Sequence, residues 1–462
     1  MFDSTIYAAR RARLAQSGLS GVAVFPGNVE APMNYTDNCY PFRQDSTFLY
    51  YFGHDLPGLW GTLDLDTGEA VLWGEDATMD DIIWTGPLPS VAQRAERVGA
   101  QGSGSLRALM DVLRAAGKGG RQVHTLPQYR AENRERMAAM LGVSQDAVNA
   151  APSRALALAI IDQRSCKAPE EIDELEKAQL VSRQMYDVAM RMARPGVTER
   201  EIAGALTGVV ARAGGLHSFP TILTTHGETL HQHAHDGVLE AGRMLLIDSG
   251  AESLEHYASD ITRSFPVNGR FDTRQRELYA ILHDAQVAAC EACAPGVSFR
   301  DIHLKTARRI AEGLTELGIM RGNPEDAVDA GAHAVFFPHG LGHMMGLDVH
   351  DMEGFGEDLV GYGEGVERSP QFGLSALRFA RTLQPGHVVT VEPGLYFIPA
   401  LLDKWKTERR HEAFIDYARV ESYMDFGGMR LEDDVLITGD GARILGPGIP
   451  KSIEDIEAAM QS

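Results

Sequence analysis

The sequence predicts two domains, the second an α+β fold in which helices pack on a curved sheet. Three observations carry this. The chain has 462 residues, more than one ordinary hydrophobic core accommodates. Near residues 162–169 an apolar segment (155–161) gives way to polar residues and then to a strong helix start. Beyond that point, short β-branched or apolar runs alternate with pairs of long helical patterns.

The elements follow in order. A helix is predicted over 4–16 and a short buried strand over 21–25. The aromatic run 47–52, ending at Gly53, is read as a second strand. Segments 61–65 and 69–73 flank Asp66-Thr67-Gly68, a hairpin turn. Helical patterns cover 90–98, 105–116 and 131–141. The domain boundary is set between 168 and 169, giving domains 1–168 and 169–462. Pro169 with Glu170, Glu171 and Asp173 puts proline in the first turn and acids at the positive end of the helix dipole. That helix should run to about residue 193 and stop at Arg194-Pro195-Gly196. Thr198 and Glu201 form a capping box for the next helix, which ends at Gly214-Gly215. Strands are expected over 244–247, 262–267, 388–391 and 429–438, with helices over 273–294 and 298–317 between them.

Composition narrows the function. Lys+Arg 43 against Asp+Glu 64 leaves a formal charge of −21, which disfavours nucleic acid and anionic membrane as main partners. The 44% hydrophobic share excludes wholesale disorder. Four cysteines make no disulfide framework. The N-terminal segment lacks a signal-peptide pattern, and segment 155–161 is far short of a membrane span. A cytoplasmic, soluble protein is expected.

Five segments set a carboxylate or imidazole at a strand end or in a glycine-rich turn. They are Leu246-Ile247-Asp248-Ser249-Gly250, Ala258-Ser259-Asp260-Ile261-Thr262, His339-Gly340-Leu341-Gly342-His343, Thr390-Val391-Glu392-Pro393-Gly394 and Arg430-Leu431-Glu432-Asp433-Asp434. Each alone has a bland reading, such as a turn former or a half-solvated strand. Together, acids adjoining apolar strands need partners or a metal. Hard oxygen donors with one nitrogen suit a pair of Mn²⁺-like ions better than a thiolate zinc site. Two such ions can share a water, make it a hydroxide near neutral pH and polarise a carbonyl.

Other motifs point elsewhere and are rejected. His339 and His343 are four apart, but Gly340 stands where a zincin helix carries glutamate. His231, His233 and His235 alternate and would share one face of a strand, yet their order departs from the metallo-β-lactamase pattern. Cys290 and Cys293 fall at a helix C-terminal end, where the dipole does not lower a thiol pKa, and read as core thiols.

The stretches IDSGAE, ASDITRSFPV, FPHGLGHMMGLDVHD, TVEPGLYF and GGMRLEDDVLIT, in this order, resemble the proline-specific metallopeptidases of the creatinase/aminopeptidase, or pita-bread, family. YPFRQDSTFLYYFG resembles the non-catalytic N-terminal domain of aminopeptidase P and prolidase. The resemblance implies a pita-bread catalytic domain behind a smaller α/β domain. It implies two divalent metal ions per chain, with Mn²⁺ expected. Asp248, Asp260, His343, Glu392 and Glu432 would be the ligands, with Asp260 and Glu432 bridging both ions. His231, His339 and His350 would orient substrate and stabilise the transition state, with Arg430 in support. The connection between Asp248 and Asp260 is one residue longer than the family's usual one, and Gln232-His233-Ala234-His235 replaces the usual Tyr-led form after His231.

The implied substrates are short peptides with proline second, and the family implies a homo-oligomer, dimer or tetramer. Xaa-Pro aminopeptidase is the leading expectation and Xaa-Pro dipeptidase (prolidase) the alternative. Dipeptide restriction needs a cation for the substrate's C-terminal carboxylate. Arg378 stands where prolidases carry such an arginine, and Arg381 is nearby; a surface arginine on a helix over 375–381 is the bland alternative. A non-catalytic binding or chaperone module, and the metal-free creatine hydrolase of this fold, would require lost ligands, and none is lost.

Overall fold

The computed structural model describes residues 1–363 and 365–461. It divides into two compact units. One holds Met1–Arg164 with Met352–Gly356; the other holds Ser165–Asp351 and the chain from Glu357 onward.

The first unit is built on a five-stranded mixed sheet in the order Gly102–Gly104, Ala70–Trp73, Trp60–Asp64, Val22–Pro26, Val123–His124. The hairpin at Asp66-Thr67-Gly68 forms as expected, with Trp60 opposite Trp73 and Leu63 opposite Ala70. Val22, Val24, Trp60 and Trp73 pack with Leu109, Leu113 and Met137 from the flanking helices. The expected strand over 47–52 is instead the helix Ser46–Phe52. Asp45 caps it by accepting from Phe48 N–H, Gly53 closes it at φ 62°, and all its residues are buried. The aromatic run suited a strand by propensity, but burial on every side favours a helix equally, and the caps decided.

The second unit opens with the helices Pro169–Met192 and Glu199–Ala213, the latter with the Thr198–Glu201 capping box. A second pair, Thr273–Ala292 and Phe299–Glu316, follows. Each pair turns at the same tetrapeptide pattern, Pro195-Gly196-Val197-Thr198 and Pro295-Gly296-Val297-Ser298, with its glycine at positive φ. The strands form three small sheets rather than the single curved sheet expected. The first is Ile222–Thr224, Met244–Ser249, Ile261–Pro266; the second is Ala442–Ile444, Asp433–Ile437, Val388–Val391; the third is Gly394–Tyr396 with Gly428–Arg430. The run 429–438 is therefore two strands in two sheets, broken at Leu431-Glu432. The half-solvated reading of this run fails because Met429, Arg430, Leu431, Glu432 and Asp434 are all buried. No described helix is long and apolar enough to cross a membrane.

Candidate metal centre

The sheets deliver the acids. Asp248 and Ile261–Pro266 meet in antiparallel register, Asp248 opposite Thr262, so Asp248 and Asp260 leave one end of the same hairpin. Glu392 follows the strand Val388–Val391, which pairs with Asp433–Ile437. Glu432 sits at the break between sheets, where its N–H donates to Thr262 O at 3.0 Å. His343 is pinned by two backbone contacts to Thr390, whose N–H donates to His343 O and whose Oγ1 accepts from His343 N–H, both at 3.0 Å.

These residues surround one cavity of about 540 Å³, lined among others by Asp248, Asp260, His343, Glu392 and Glu432. Donor atoms of Asp260, His343 and Glu432 all lie within 4.8 Å of one another. His343 Nε2 is 3.3 Å from Asp260 Oδ2 and 3.7 Å from Glu392 Oε1. Its Nδ1 donates to Met344 O at 3.2 Å, which leaves the Nε2 lone pair facing the acids.

The donor set fits divalent cations. Burial, then the neighbouring Asp248, holds the Asp260 carboxyl well above its ordinary range, and burial, then Asp260 and Glu392, does the same to Glu432. Asp248 Oδ1 and Asp260 Oδ1 are buried without a hydrogen-bond partner. Buried carboxylates crowded together without neutralisation are unfavourable, and a divalent ion is the compact remedy.

Arg430 organises the flank. Its Nη2 donates to Asp248 Oδ2 at 2.5 Å, its Nε to Thr262 Oγ1 at 3.0 Å and its Nη1 to Tyr396 OH at 2.9 Å. Thr262 Oγ1 donates to Glu432 Oε2 at 2.7 Å. Tyr396 OH is 2.9 Å from His339 Nε2, and His339 Nδ1 donates to Gly340 O at 2.8 Å. Burial and Arg430 push the His339 imidazole down to about 3, so it is neutral, with both nitrogens committed to protein partners. His339 lines the cavity and is linked through Tyr396 OH to Arg430.

His231 and His350 line the cavity, and the His350 ring lies 4.1 Å from that of His343. His231, His233 and His235 lie on no strand. His231 and His233 reach the cavity, whereas His235 has φ 50° and its Nε2 donates to Thr221 O. Arg378 also lines the cavity, but not on a helix: only the short 3₁₀ turn Leu374–Ala376 precedes it. Its Nη1 donates to Glu357 Oε2 at 2.9 Å. Cys290 and Cys293 are buried, and burial pushes the Cys293 thiol up to about 12, consistent with inert core thiols.

Sequence reading did not single out Tyr396, Thr262 or Asp434 for roles. Asp434 accepts the Asp260 N–H at 2.9 Å and a bond from Gln179. Tyr396 lay inside a quoted motif, but only the pairing of Gly394 with Arg430 brings it beside the guanidinium.

Residues 173–439 match the profile of metallopeptidase family M24, and residues 7–124 match the aminopeptidase P N-terminal domain. The chain belongs to metallopeptidase family M24. It is 34% identical to the Xaa-Pro dipeptidase of Homo sapiens, covering 95% of this chain and 88% of that one. It is 31% identical to a probable Xaa-Pro aminopeptidase of Uncinocarpus reesii, covering 96% and 90%. Its structure is similar to zinc-substituted aminopeptidase P of Escherichia coli in complex with product, with TM-score 0.81 and 28% identity over 100% of this chain and 98% of that one. This M24 protein is thus a hydrolase, a metallo-exopeptidase with the aminopeptidase P fold, of a family that binds divalent metal.

Proposed function

We propose that this chain is a two-metal Xaa-Pro dipeptidase, hydrolysing the bond between a first residue and a following C-terminal proline. The observation that carries the dipeptide preference is Arg378 in the wall of the cavity that holds the metal ligands. A guanidinium carries its N–H donors in a planar fork suited to a carboxylate, here the free C-terminus of a two-residue substrate. This reverses the order expected from sequence, which led with the aminopeptidase. The Homo sapiens relative, a dipeptidase by name, supports the reversal. The Xaa-Pro aminopeptidase remains the second reading, favoured by the likeness to Escherichia coli aminopeptidase P.

In this reading Asp248, Asp260, His343, Glu392 and Glu432 hold two ions, Mn²⁺ by the hardness of the donors. The ions, when bound, supply an acidified water and polarise the peptide carbonyl. The chain's own residues do the rest. Arg430 orients Asp248, and Thr262 orients Glu432. Burial and Arg430 hold His231 below its ordinary pKa, so it meets the peptide as a neutral imidazole. His231 and His350 line the cavity as hydrogen-bonding groups for the substrate and the charge it develops. Domains 1–168 and 169–462, a homo-oligomer and a reducing, cytoplasmic setting belong to the same proposal.

The test compares Mn²⁺-loaded enzyme on Ala-Pro and Ala-Pro-Ala. A dipeptidase turns over Ala-Pro far better, and Arg378→Ala raises KM for Ala-Pro roughly 30-fold, about 2 kcal/mol of charge-assisted hydrogen bonding. Equal or faster tripeptide cleavage with an indifferent Arg378→Ala gives the aminopeptidase. Hydrolysis of neither rejects both.

A further inference from the structure

His343 and His350 stand at the two ends of one loop. Its neck is closed where Asp351 N–H donates to Met344 O at 2.9 Å, the same carbonyl that accepts from His343 Nδ1. One oxygen thus fixes the His343 tautomer and the residue that follows His350. The Asp351 carboxylate is held in turn. Lys167 Nζ donates to its Oδ2 at 2.9 Å, and both side chains are 1% exposed. Its Oδ1 accepts from Asp348 N–H at 3.3 Å.

The surroundings are shaped around this pair. A Cβ on Gly346 would fall 2.5 Å from Asp351 Oδ2 and 3.0 Å from Lys167 Cε, so glycine there admits the lysine. Gly346 O accepts from Ala258 N–H at 2.9 Å, on the approach to Asp260. Lys167 N–H donates to Gly386 O at 2.8 Å, just ahead of the strand that leads to Glu392.

A fully buried ion pair adds little stability, because desolvation offsets most of its attraction and a packed apolar pair does as well. What it provides is a fixed position. We infer that Lys167 and Asp351 are positioning residues that hold His350 against His343 at the edge of the metal cluster. The inference rests on the reading of His350 as a group that meets the substrate.

The experiment is a double-mutant cycle on the Mn²⁺-loaded enzyme, using the faster of Ala-Pro and Ala-Pro-Ala. Lys167→Met should lower kcat at least roughly 10-fold, with KM and bound Mn²⁺ unchanged, since small misplacements of a reacting constellation are costly. In a His350→Ala background the same substitution should cost less than about twofold more, because the group it positions is gone. An equal loss in both backgrounds, a loss confined to KM, or no loss in a folded variant overturns the inference. If Lys167→Met does not fold, Asp351→Asn goes through the same cycle with the same criteria. If His350→Ala alone leaves kcat intact, the substrate role of His350 fails and the positioning role with it. A loss in His350→Ala without one in Lys167→Met overturns the positioning role alone.

Discussion

Glu432 and Asp433 are neighbours in sequence, both 2% exposed, and their electrostatics are opposite. Asp433 faces Arg263 Nη2 at 2.6 Å, Lys451 Nζ at 2.6 Å and Gln286 Nε2 at 2.9 Å. Arg263 and Lys451 outweigh burial and hold its carboxyl well below the usual range. Glu432 faces Asp260, Glu392 and Asp248, and its carboxyl is held well above it. Reversing direction by one residue on an extended chain sends one side chain into a completed ion cluster and the other into an acid-rich cavity. The first is structural and self-sufficient. In the proposed reading the second is completed by a cation from outside. Burial of an acid is therefore not the sign of a metal site; burial with too few internal cations is.

That contrast can be broken in several ways. Chelation should abolish peptidase activity and Mn²⁺ restore it, while Asp433 and its partners stay folded. Metal analysis with circular dichroism checks both halves; activity that survives full metal removal contradicts the contrast. Next in size, Asp433→Asn should destabilise the fold by about 3–5 kcal/mol, since it strips a buried arginine of its counter-charge. Urea unfolding of the Mn²⁺-loaded protein measures it, and a loss under 1 kcal/mol would make the cluster dispensable. Glu432→Gln should leave stability near or above that of the metal-free parent but lower kcat at least roughly 10²-fold and reduce bound metal. Wild-type metal content and rate in that variant would remove Glu432 from the ligand set.

The smallest effect is a pH signature. Asp260 and Glu432 have folded pKa values above the unfolded ones when no metal is bound. Their contribution is fully present below the unfolded value of about 4 and is lost as pH rises toward the folded values. Asp433 has the opposite sign: its contribution is present above that value and is lost as pH falls. The Tm gap between the Mn²⁺-loaded and the chelated protein should therefore widen as pH rises above about 4. Parallel Tm profiles with and without metal would contradict the assignment.

Legibility in the sequence followed the range of the interaction that decides each feature. Helices with local caps were readable: Thr198 and Glu201, Pro169 with its acids, and the Pro-Gly stops all act within a few residues. The run 47–52 was misread because a segment buried on all sides carries no periodicity to separate helix from strand. The break at Leu431-Glu432 was invisible because it depends on which of two sheets each half joins. Asp248, Asp260, His343, Glu392 and Glu432 could be singled out as candidates from strand-end and glycine-turn motifs that resemble the family's. Their partners could not. Tyr396 beside Arg430, and Asp434 under the Asp260 amide, are contacts between strands far apart in the chain.

The sequence by itself determined the family and pointed to two domains and to hard candidate donors, because these rest on residue chemistry and short-range order. Only the tertiary structure decided which acids are compensated and which are not. Asp433 and Glu432 look alike in a string of letters, and the difference lies in Arg263 and Lys451 arriving from distant elements on one side and in acids gathering on the other. The charge state of a buried group is set by everything packed around it, and packing is a property of the folded chain.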